Sequence, residues 1–413
     1  MPEHAPTTPG AAVRRHDIVI VGGGLVGASL AIALDGLGLD VAMVEAAPAG
    51  ALPAVFDQRN LSFAEATCNA LANLVVWRLL RTPAGPIRRI HVSRRGDFGR
   101  VELDARDYDR EAFGQVVVAS DFGEALEARL GELRHLTRYR PARFIESGID
   151  GDARVVRVAD GEGEHQLMTR LLVGADGTQS MVRAALGIAA EHHDYGKTLF
   201  VARMRCDRAP DGTAYERLTD DGPTALLPRG DRHYGVVHAV SADEADAVAA
   251  LDDEAWCARI QDAFGWRAGR FLSAGPRSRY PAQRALAERL TASRGVVIGN
   301  AAQTIHPIGA QGFNLGLRDA LTLVECIAAS VADAGANEVL QRYAQRRVED
   351  RSRTIAFSDG LARLAANPSP LLRPLRTLGM GAIAQVDAVQ SMLVGGAMGY
   401  RGDVPALCRE VAR

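Results

Sequence analysis

A glycine-rich turn near the N-terminus constrains this chain more than any other stretch. Residues Gly22-Gly23-Gly24-Leu25-Val26-Gly27-Ala28 follow an apolar run, Asp17 to Val21, that reads as a buried parallel strand. They open a second apolar run, Leu25 to Leu37, that reads as a helix. Gly22, Gly24 and Gly27 take the G-x-G-x-x-G spacing. In such a turn the first glycine permits the tight bend, the second lets the backbone approach a pyrophosphate, and the third lets helix and strand pack closely. The helix N-terminus then presents unpaired N–H groups to the anion. Gly38 ends the helix, Asp40 to Val44 reads as a second strand, and Glu45 stands at its C-terminal end. An acid about 20 residues beyond the glycines is where an adenosine ribose is held by its hydroxyls. The expected fold class is α/β, built on a Rossmann-type dinucleotide-binding domain.

The spacing by itself is weak. Gly379-Met380-Gly381-Ala382-Ile383-Ala384 also fits G-x-G-x-x-A, yet no strand precedes it and Arg373-Pro374 lies upstream, so chance accounts for it. The 413 residues, 47% of them hydrophobic, suffice for two or three domains or one interwoven one with a real core. A formal net charge of −2 argues against a nucleic-acid surface. Cys68, Cys206, Cys257, Cys326 and Cys408 are scattered and form no C-x-x-C pair. That pattern argues for free thiols in a reducing compartment and against a zinc site, and no metal is expected. Arg14-Arg15 before a glycine-rich apolar run imitates a secretion signal, but the same residues spell the nucleotide turn, so that reading is rejected. No apolar run reaches the roughly 18 residues needed to span a bilayer. Residues 1–13, rich in Pro, Thr and Ala, are expected to form a disordered leader.

The rest of the chain reads as one discontinuous nucleotide domain with a β-rich insertion. Helices are expected over 64–80 and 121–133, and strands of a meander over 153–158 and 166–173. From Thr198 to Val240 the apolar period is close to two, with turn signals at Asp211-Gly212, Asp221-Gly222-Pro223 and Arg229-Gly230-Asp231. That pattern predicts an antiparallel sheet. Helical spacing returns at 243–264, a short buried strand lies at 295–299, and a helix is expected from about Asn314 to Ala332. The domain boundaries expected are 14–80, 105–187 and 285–345 for the nucleotide domain, 81–104 and 188–284 for a β-rich substrate domain, and 346–413 for a helical C-terminal region.

Two further motifs accompany the glycine turn. Asp176-Gly177 lies just past the 166–173 strand, with Ser180 and Arg183 on the next helix. Gly299-Asn300-Ala301-Ala302 leads into Gln303-Thr304-Ile305-His306-Pro307-Ile308-Gly309-Ala310-Gln311-Gly312-Phe313-Asn314. Such a set suits a flavin. A long cofactor needs hydrogen-bond partners for its ribityl hydroxyls as well as its pyrophosphate. The isoalloxazine edge that gains negative charge on reduction is stabilised by backbone N–H groups at a helix N-terminus. The turn at 311–314 opens a helix and supplies such donors.

In this order and spacing, the three motifs resemble those of the class A flavin aromatic hydroxylases, which carry one Rossmann fold for FAD and no second one for NAD(P)H. Within that group the chain looks most like the ubiquinone-biosynthesis hydroxylases. Phe56-Asp57-Gln58-Arg59-Asn60-Leu61-Ser62 is similar to their F-D-x-R-x-x-A/S segment. The 299–307 loop, Glu216-Arg217-Leu218 with Gly222-Pro223, and Phe264-Gly265-Trp266-Arg267 resemble the octaprenyl-methoxyphenol hydroxylase branch. The likeness runs from about Asp17 to Gly399. It implies a p-hydroxybenzoate-hydroxylase-like FAD domain with an antiparallel β-sheet substrate domain. There are departures. Asn300 stands where the wider group has Asp, although its amide still bonds a ribityl hydroxyl. Asp121 stands where a basic residue is common, which bears on one phosphate contact. Gly309-Ala310-Gln311-Gly312 replaces Ala-Gly-Gln-Gly.

The resemblance implies an FAD-dependent monooxygenase. NAD(P)H reduces FAD, O2 adds to give a flavin C4a-hydroperoxide, and its terminal oxygen passes to a polyprenylated phenol in ubiquinone biosynthesis. The protein's tasks are then to bind the flavin, exclude water and orient the ring. The FAD-binding residues expected are Gly22, Gly24, Gly27, Glu45, Arg59, Asp176, Asn300, Gly312, Phe313 and Asn314; the catalytic candidates are His306 and Pro307. Arg59 either neutralises the pyrophosphate, lies near the ring, or pairs with Asp57. Asp176 either contacts the pyrophosphate–ribityl region or fixes the Arg183 helix. His306 either assists phenol deprotonation, which its pKa range suits, or is positional beside Pro307, which walls the ring cavity. Arg318 and Asp319 cap or pair along their helix. Apolar residues from Leu371 to Leu393 recur at helical spacing, for core packing or for contact with membrane lipid or partner subunits. The location implied is cytoplasmic, with peripheral contact at the cytoplasmic face of the inner membrane and membership of a ubiquinone-biosynthesis complex as further options. Two rival readings stay open: a flavin reductase or dehydrogenase acting on a prenyl lipid, and a non-catalytic subunit that keeps the fold.

Overall fold

The computed structural model describes residues 13–97, 99–219, 222–366, 394–400 and 402–409. Strand Arg14–Val21 lies inside a parallel sheet, flanked by Val41–Val44 and Gly163–Gly174. Leu136–Tyr139 and Gly295–Val297 extend that sheet, also in parallel. Ile18, Val19 and Ile20 are fully buried. A continuous apolar run is what a parallel strand covered on both faces requires. Strand Ala153–Asp160 folds back antiparallel on Gly163–Gly174, the meander expected from their alternation.

Helix Leu25–Leu34 follows the glycine turn, and a short 3-10 turn carries it to Leu37 before Gly38 closes it at φ +67°. This helix packs on helix Gly312–Ala328. Glycines set the closeness of that contact. A Cβ on Gly316 would lie 2.7 Å from Val26, and one on Gly299 would lie 2.9 Å from it. The absence of side chains there brings the 299–314 loop onto the first helix beside the nucleotide turn.

The second large sheet has nine strands among the described residues, in the path Gln303–Thr304, Ser278–Ala287, Ala190–Cys206, Tyr234–Ser241, Pro223–Pro228, Thr213–Leu218, Arg89–Arg94, Arg100–Asp104, with Phe271–Ala274 on the edge of Ala190–Cys206. Helix Asp253–Phe264 covers one face, burying Trp256 against Phe200, Leu226 and Val236. Each such side chain contributes about 1.5–3 kcal/mol by leaving water. A third sheet joins Asn60–Ala64, Gly114–Val118 and Gly85–Pro86.

Several expected elements differ in extent. The 64–80 helix stops at Asn73, because Val75 takes φ +66° and breaks the hydrogen-bond ladder. The 243–264 helix is split: Asp252 accepts from the N–H of Ala255 at 2.8 Å and starts a new helix there. A capping side chain thus overrides a continuous helical period. The helix expected from Asn314 begins at Gly312 and ends at Ala328. Gly85–Pro86 lies in the small third sheet, whereas Arg89–Arg94 and Arg100–Asp104 join the nine-stranded one. Helix Asn337–Ala366 runs unbroken through position 346. The 1–12 part of the leader, the second glycine match at 379–384 and the apolar run from Leu371 to Leu393 lie outside the described residues.

Candidate functional site

The three glycines of the turn do different work. Gly22 has φ +104°, and a Cβ on it would meet the Ala175 carbonyl oxygen at 2.5 Å. A Cβ on Gly27 would lie 2.0 Å from the Gly22 oxygen. Both are therefore demanded by the protein's own packing. Gly24 is different, since its Cβ would touch only a Val55 methyl at 3.6 Å. Packing within the protein therefore does not require a glycine there, which fits the glycine that approaches a pyrophosphate. Glu45 accepts from the N–H of Gly23 and of Ala47, each at 2.7 Å. The acid thus sits against the glycine turn, with further lone pairs free for ribose hydroxyls.

The second motif is an internal clamp. Asp176 accepts from Ser180 Oγ at 2.5 Å and from the N–H of Val182 at 3.1 Å. Of its two expected roles, the structure displays the fixing of the Met181–Ala185 helix. Arg183 then donates to the carbonyls of Ala301 (2.8 Å) and Thr178 (2.9 Å). The second motif therefore holds the third in place.

In the third motif, Gly312 opens its helix, and nothing lies within 4 Å of where its Cβ would stand. The first N–H groups of a helix have no partner within it, so Gly312, Phe313 and Asn314 present donors there. The Phe313 ring turns inward onto Phe63 and Phe122, each at 5.3 Å between centroids. Asn314 differs from a cofactor-facing side chain. Its buried amide accepts from the Ala64 N–H (2.9 Å) and Thr67 Oγ1 (2.7 Å), and donates to the carbonyls of Ser62 (3.0 Å) and Ala310 (2.9 Å). The side chain is therefore engaged by the protein on both its oxygen and its nitrogen. Asn300 is exposed.

His306 is buried, and its ring stands edge-on to Tyr195 at 4.8 Å. Its Nδ1 accepts from the N–H of Ile308 at 3.2 Å, and its carbonyl accepts from Ser358 Oγ at 2.8 Å. Burial pushes the imidazole down to about 4 despite the opposing charge of Asp359. A neutral ring with Nδ1 engaged carries its proton on Nε2, which makes it a poor base. The geometry is that of the positional role. Pro307 beside it is exposed.

Arg59 is half-buried just before strand Asn60–Ala64, against Tyr280 of the nine-stranded sheet. It donates from Nε to Asp57 Oδ1 (2.8 Å) and from Nη2 to Asp57 Oδ2 (3.0 Å), and its guanidinium lies over the Tyr280 ring at 4.2 Å. The Tyr280 hydroxyl donates to Asp57. Burial would raise the Asp57 carboxyl, but Arg59 and Tyr280 hold it below its ordinary value. Of the expected alternatives, the structure displays the pair with Asp57, and Tyr280 adds a cation–π contact to it.

Sequence reasoning missed several supporting residues. Tyr280 reaches the site from a strand far along the chain and leaves no local trace. Asp121 accepts from the N–H of Arg81 (3.0 Å) and Thr82 (2.9 Å), so an acid there ties down a chain segment instead of contacting phosphate. Arg318 and Asp319 pair with another helix, not along their own. Asp319 accepts from the Gly299 N–H (3.1 Å), from Gln303 Nε2 (2.5 Å) and from Arg347 Nε (2.7 Å), while Arg318 bonds Asp350 at 2.6 and 3.0 Å. Burial would raise Asp350, yet Arg318 and Arg347 hold it below its usual value. The available clue was two charged residues inside an otherwise apolar helix.

This arrangement defines a dinucleotide-binding flavoprotein of the aromatic-hydroxylase architecture. The chain matches the model of the FAD binding domain family over residues 15–358. It is 32% identical to the ubiquinone hydroxylase UbiL of Rhodospirillum rubrum, over 94% of this chain and 91% of that protein. It is 29% identical to the 3-demethoxyubiquinol 3-hydroxylase of Escherichia coli, over 93% and 98%. The fold superimposes on p-nitrophenol 4-monooxygenase PnpA from Pseudomonas putida with a TM-score of 0.77, at 16% identity and over 94% and 99% of the two chains. The chain belongs to the FAD binding domain family, and it is an FAD-dependent monooxygenase.

Proposed function

We propose that this monooxygenase hydroxylates a polyprenylated phenol in ubiquinone biosynthesis, with NAD(P)H and O2 as co-substrates. One observation carries the reading: Gly24, whose Cβ would meet only a Val55 methyl at 3.6 Å, and Gly312, whose Cβ would meet nothing within 4 Å, begin helices that pack together at Val26 and Gly316. Two helix N-termini thus serve one extended ligand. Gly22 to Gly27 would hold the FAD pyrophosphate, Glu45 the adenosine ribose, Asn300 a ribityl hydroxyl, and the N–H groups of Gly312 to Asn314 the isoalloxazine edge. When bound, FAD supplies the redox chemistry that no side chain here can provide. The protein orients the ring, keeps water out and stabilises charge at the helix N-terminus.

No helix among the described residues is long and apolar enough to cross a membrane. A polyprenylated phenol is itself a membrane lipid, so the proposal includes peripheral contact with the cytoplasmic face of the membrane and assembly with other proteins of the pathway. The test uses purified protein. A bound flavin spectrum with NAD(P)H consumption that depends on both O2 and a prenylated phenol supports the reading. Flavin-bound protein that consumes NAD(P)H without forming hydroxylated product would point to a reductase, and colourless protein that refuses FAD would end the proposal.

A further inference from the structure

The nine-stranded sheet has one sealed face and one open face. On the sealed face Thr224, Leu226, Val236, Phe200 and Met204 are buried. On the other face, strand register sets Glu216, Ala225, Val237, Val201 and Ser278 side by side in one row across five strands. All five keep accessible surface. Among the described residues, the nucleotide domain meets the margins of this same face at three places. Gly235 lies against Asn60, Leu218 packs on Ile308, and Tyr280 bonds Asp57 beneath Arg59. The row between these contacts is an accessible floor, apolar over Ala225, Val237 and Val201, with Ser278 at one end and the acid Glu216 at the other.

Glu216 is an unusual occupant of such a floor. It lies deep in the protein yet stays touchable by solvent, as a side chain on a cleft wall does. Among the described residues its carboxyl has no hydrogen-bond or ion-pair partner. A carboxylate removed from water without a partner is costly, and that cost is relieved when a ligand brings a donor. We propose that Glu216 receives the phenolic hydroxyl of the substrate, with the ring and first prenyl unit lying along Ala225, Val237 and Val201. This rests on the phenol-hydroxylase reading above. In the proton step the phenol O–H bond breaks, the proton joins a Glu216 Oε, and the electron pair stays on the phenolate oxygen, enriching the ring for attack by electrophilic oxygen. The proton returns to that oxygen as product forms.

Burial alone lifts the Glu216 carboxyl to about 7, near the operating pH that suits a general base. The titratable groups bordering the face are otherwise engaged. Arg94, one row away on the adjacent strand, pairs with Asp97 at 3.8 Å. Tyr280 is bonded to Asp57, Tyr195 to Asp359, and His306 is held neutral.

The test uses the full-length FAD-loaded protein, with 2-geranylphenol as probe, and compares wild type with Glu216→Gln. The wild-type hydroxylation rate should rise about tenfold per pH unit below about 7 and then level off. The Gln variant should retain its FAD, lose about 100-fold or more in kcat and lose that acid limb. Infrared difference spectra of the wild type should show a carboxylic-acid band that titrates near neutrality, absent from the variant and shifted by the probe. A Gln variant with wild-type kcat and acid limb, or a wild type with no probe-sensitive carboxyl band, overturns the assignment of Glu216 alone. A wild type that neither binds nor hydroxylates the probe overturns the phenol-hydroxylase reading, and this inference falls with it.

Discussion

The two loops at the crevice are built in opposite ways. The glycine turn at 22–27 is shaped by its near neighbours: Gly27 is forced by the Gly22 carbonyl, and Glu45 bonds straight back to Gly23. The 299–314 loop is shaped by distant partners. Asp319 pins its start, Arg183 grips Ala301, Ser358 holds His306, and Asn314 clasps Ala64 and Thr67. The first loop takes most of its geometry from its own supersecondary unit, with one distant contact where Gly22 meets Ala175, whereas the second receives its geometry from the folded whole. Damage to the first should therefore divide between positions that face the cofactor and positions that pack the turn, and damage to the second should act through stability.

The sharpest test lies inside the glycine turn. Gly27→Val should prevent stable folding, because its Cβ would sit 2.0 Å from a backbone oxygen. Gly24→Val should leave the FAD-free protein's thermal midpoint nearly unchanged and abolish FAD retention. Equal loss of thermal stability in both variants would break the division between a packing glycine and a ligand-facing one.

The next test cuts the distant ties. Asp319→Ala should cost about 3–5 kcal/mol in denaturant unfolding, because Arg347 is left charged and buried without this partner. A cost below about 1 kcal/mol, in the range of surface pairs, would show that the 299–314 loop stands without its scaffold.

Acid should weaken the distant scaffold as well. Burial depresses both His306 and His238 to about 4, with Arg259 adding to the effect at His238. The unfolded chain takes up these protons below about 6.5, and the folded chain does so only near the depressed values. Stability is therefore lost as pH falls from about 6.5 toward 4, by up to about 3 kcal/mol for each histidine. His306→Gln should remove roughly half of that loss in unfolding experiments; an unchanged acid slope would remove His306 from the scaffold.

The smallest effect belongs to the glycine turn again. Glu45→Ala should weaken FAD binding by about 1–3 kcal/mol, the worth of hydrogen bonds to a charged group. Unchanged affinity in a titration of FAD-free protein would confine Glu45 to bonding Gly23 and Ala47.

Much of this was legible from residue order, and the reason is periodicity and backbone freedom. Strand Arg14–Val21, the turn, helix Leu25–Leu34 and Glu45 follow from an unbroken apolar run, spaced glycines and one acid, all within one supersecondary unit. The antiparallel sheet followed from a period of two between turn residues. Helix ends were less legible, since Val75 and Asp252 end or restart helices through local geometry that competes with apolar spacing. Side-chain roles were the least legible. Asn314 carries the residue type of a cofactor ligand, but its amide is fully engaged by the protein, whereas Asp176 accepts two internal bonds and keeps further lone pairs.

What residue order determined by itself is the nucleotide turn and the class of long, anionic ligand it takes, because those depend on contacts between near neighbours. Tertiary structure decided which polar groups remain free to meet that ligand and its substrate. Tyr280 reaches Asp57, Arg347 reaches Asp319, and Glu216 is left on an open sheet face only through strand pairings and helix contacts that no local pattern records. A hydrogen bond engages a group once, and whether a given carboxylate or amide is already engaged depends on distant partners brought near by folding.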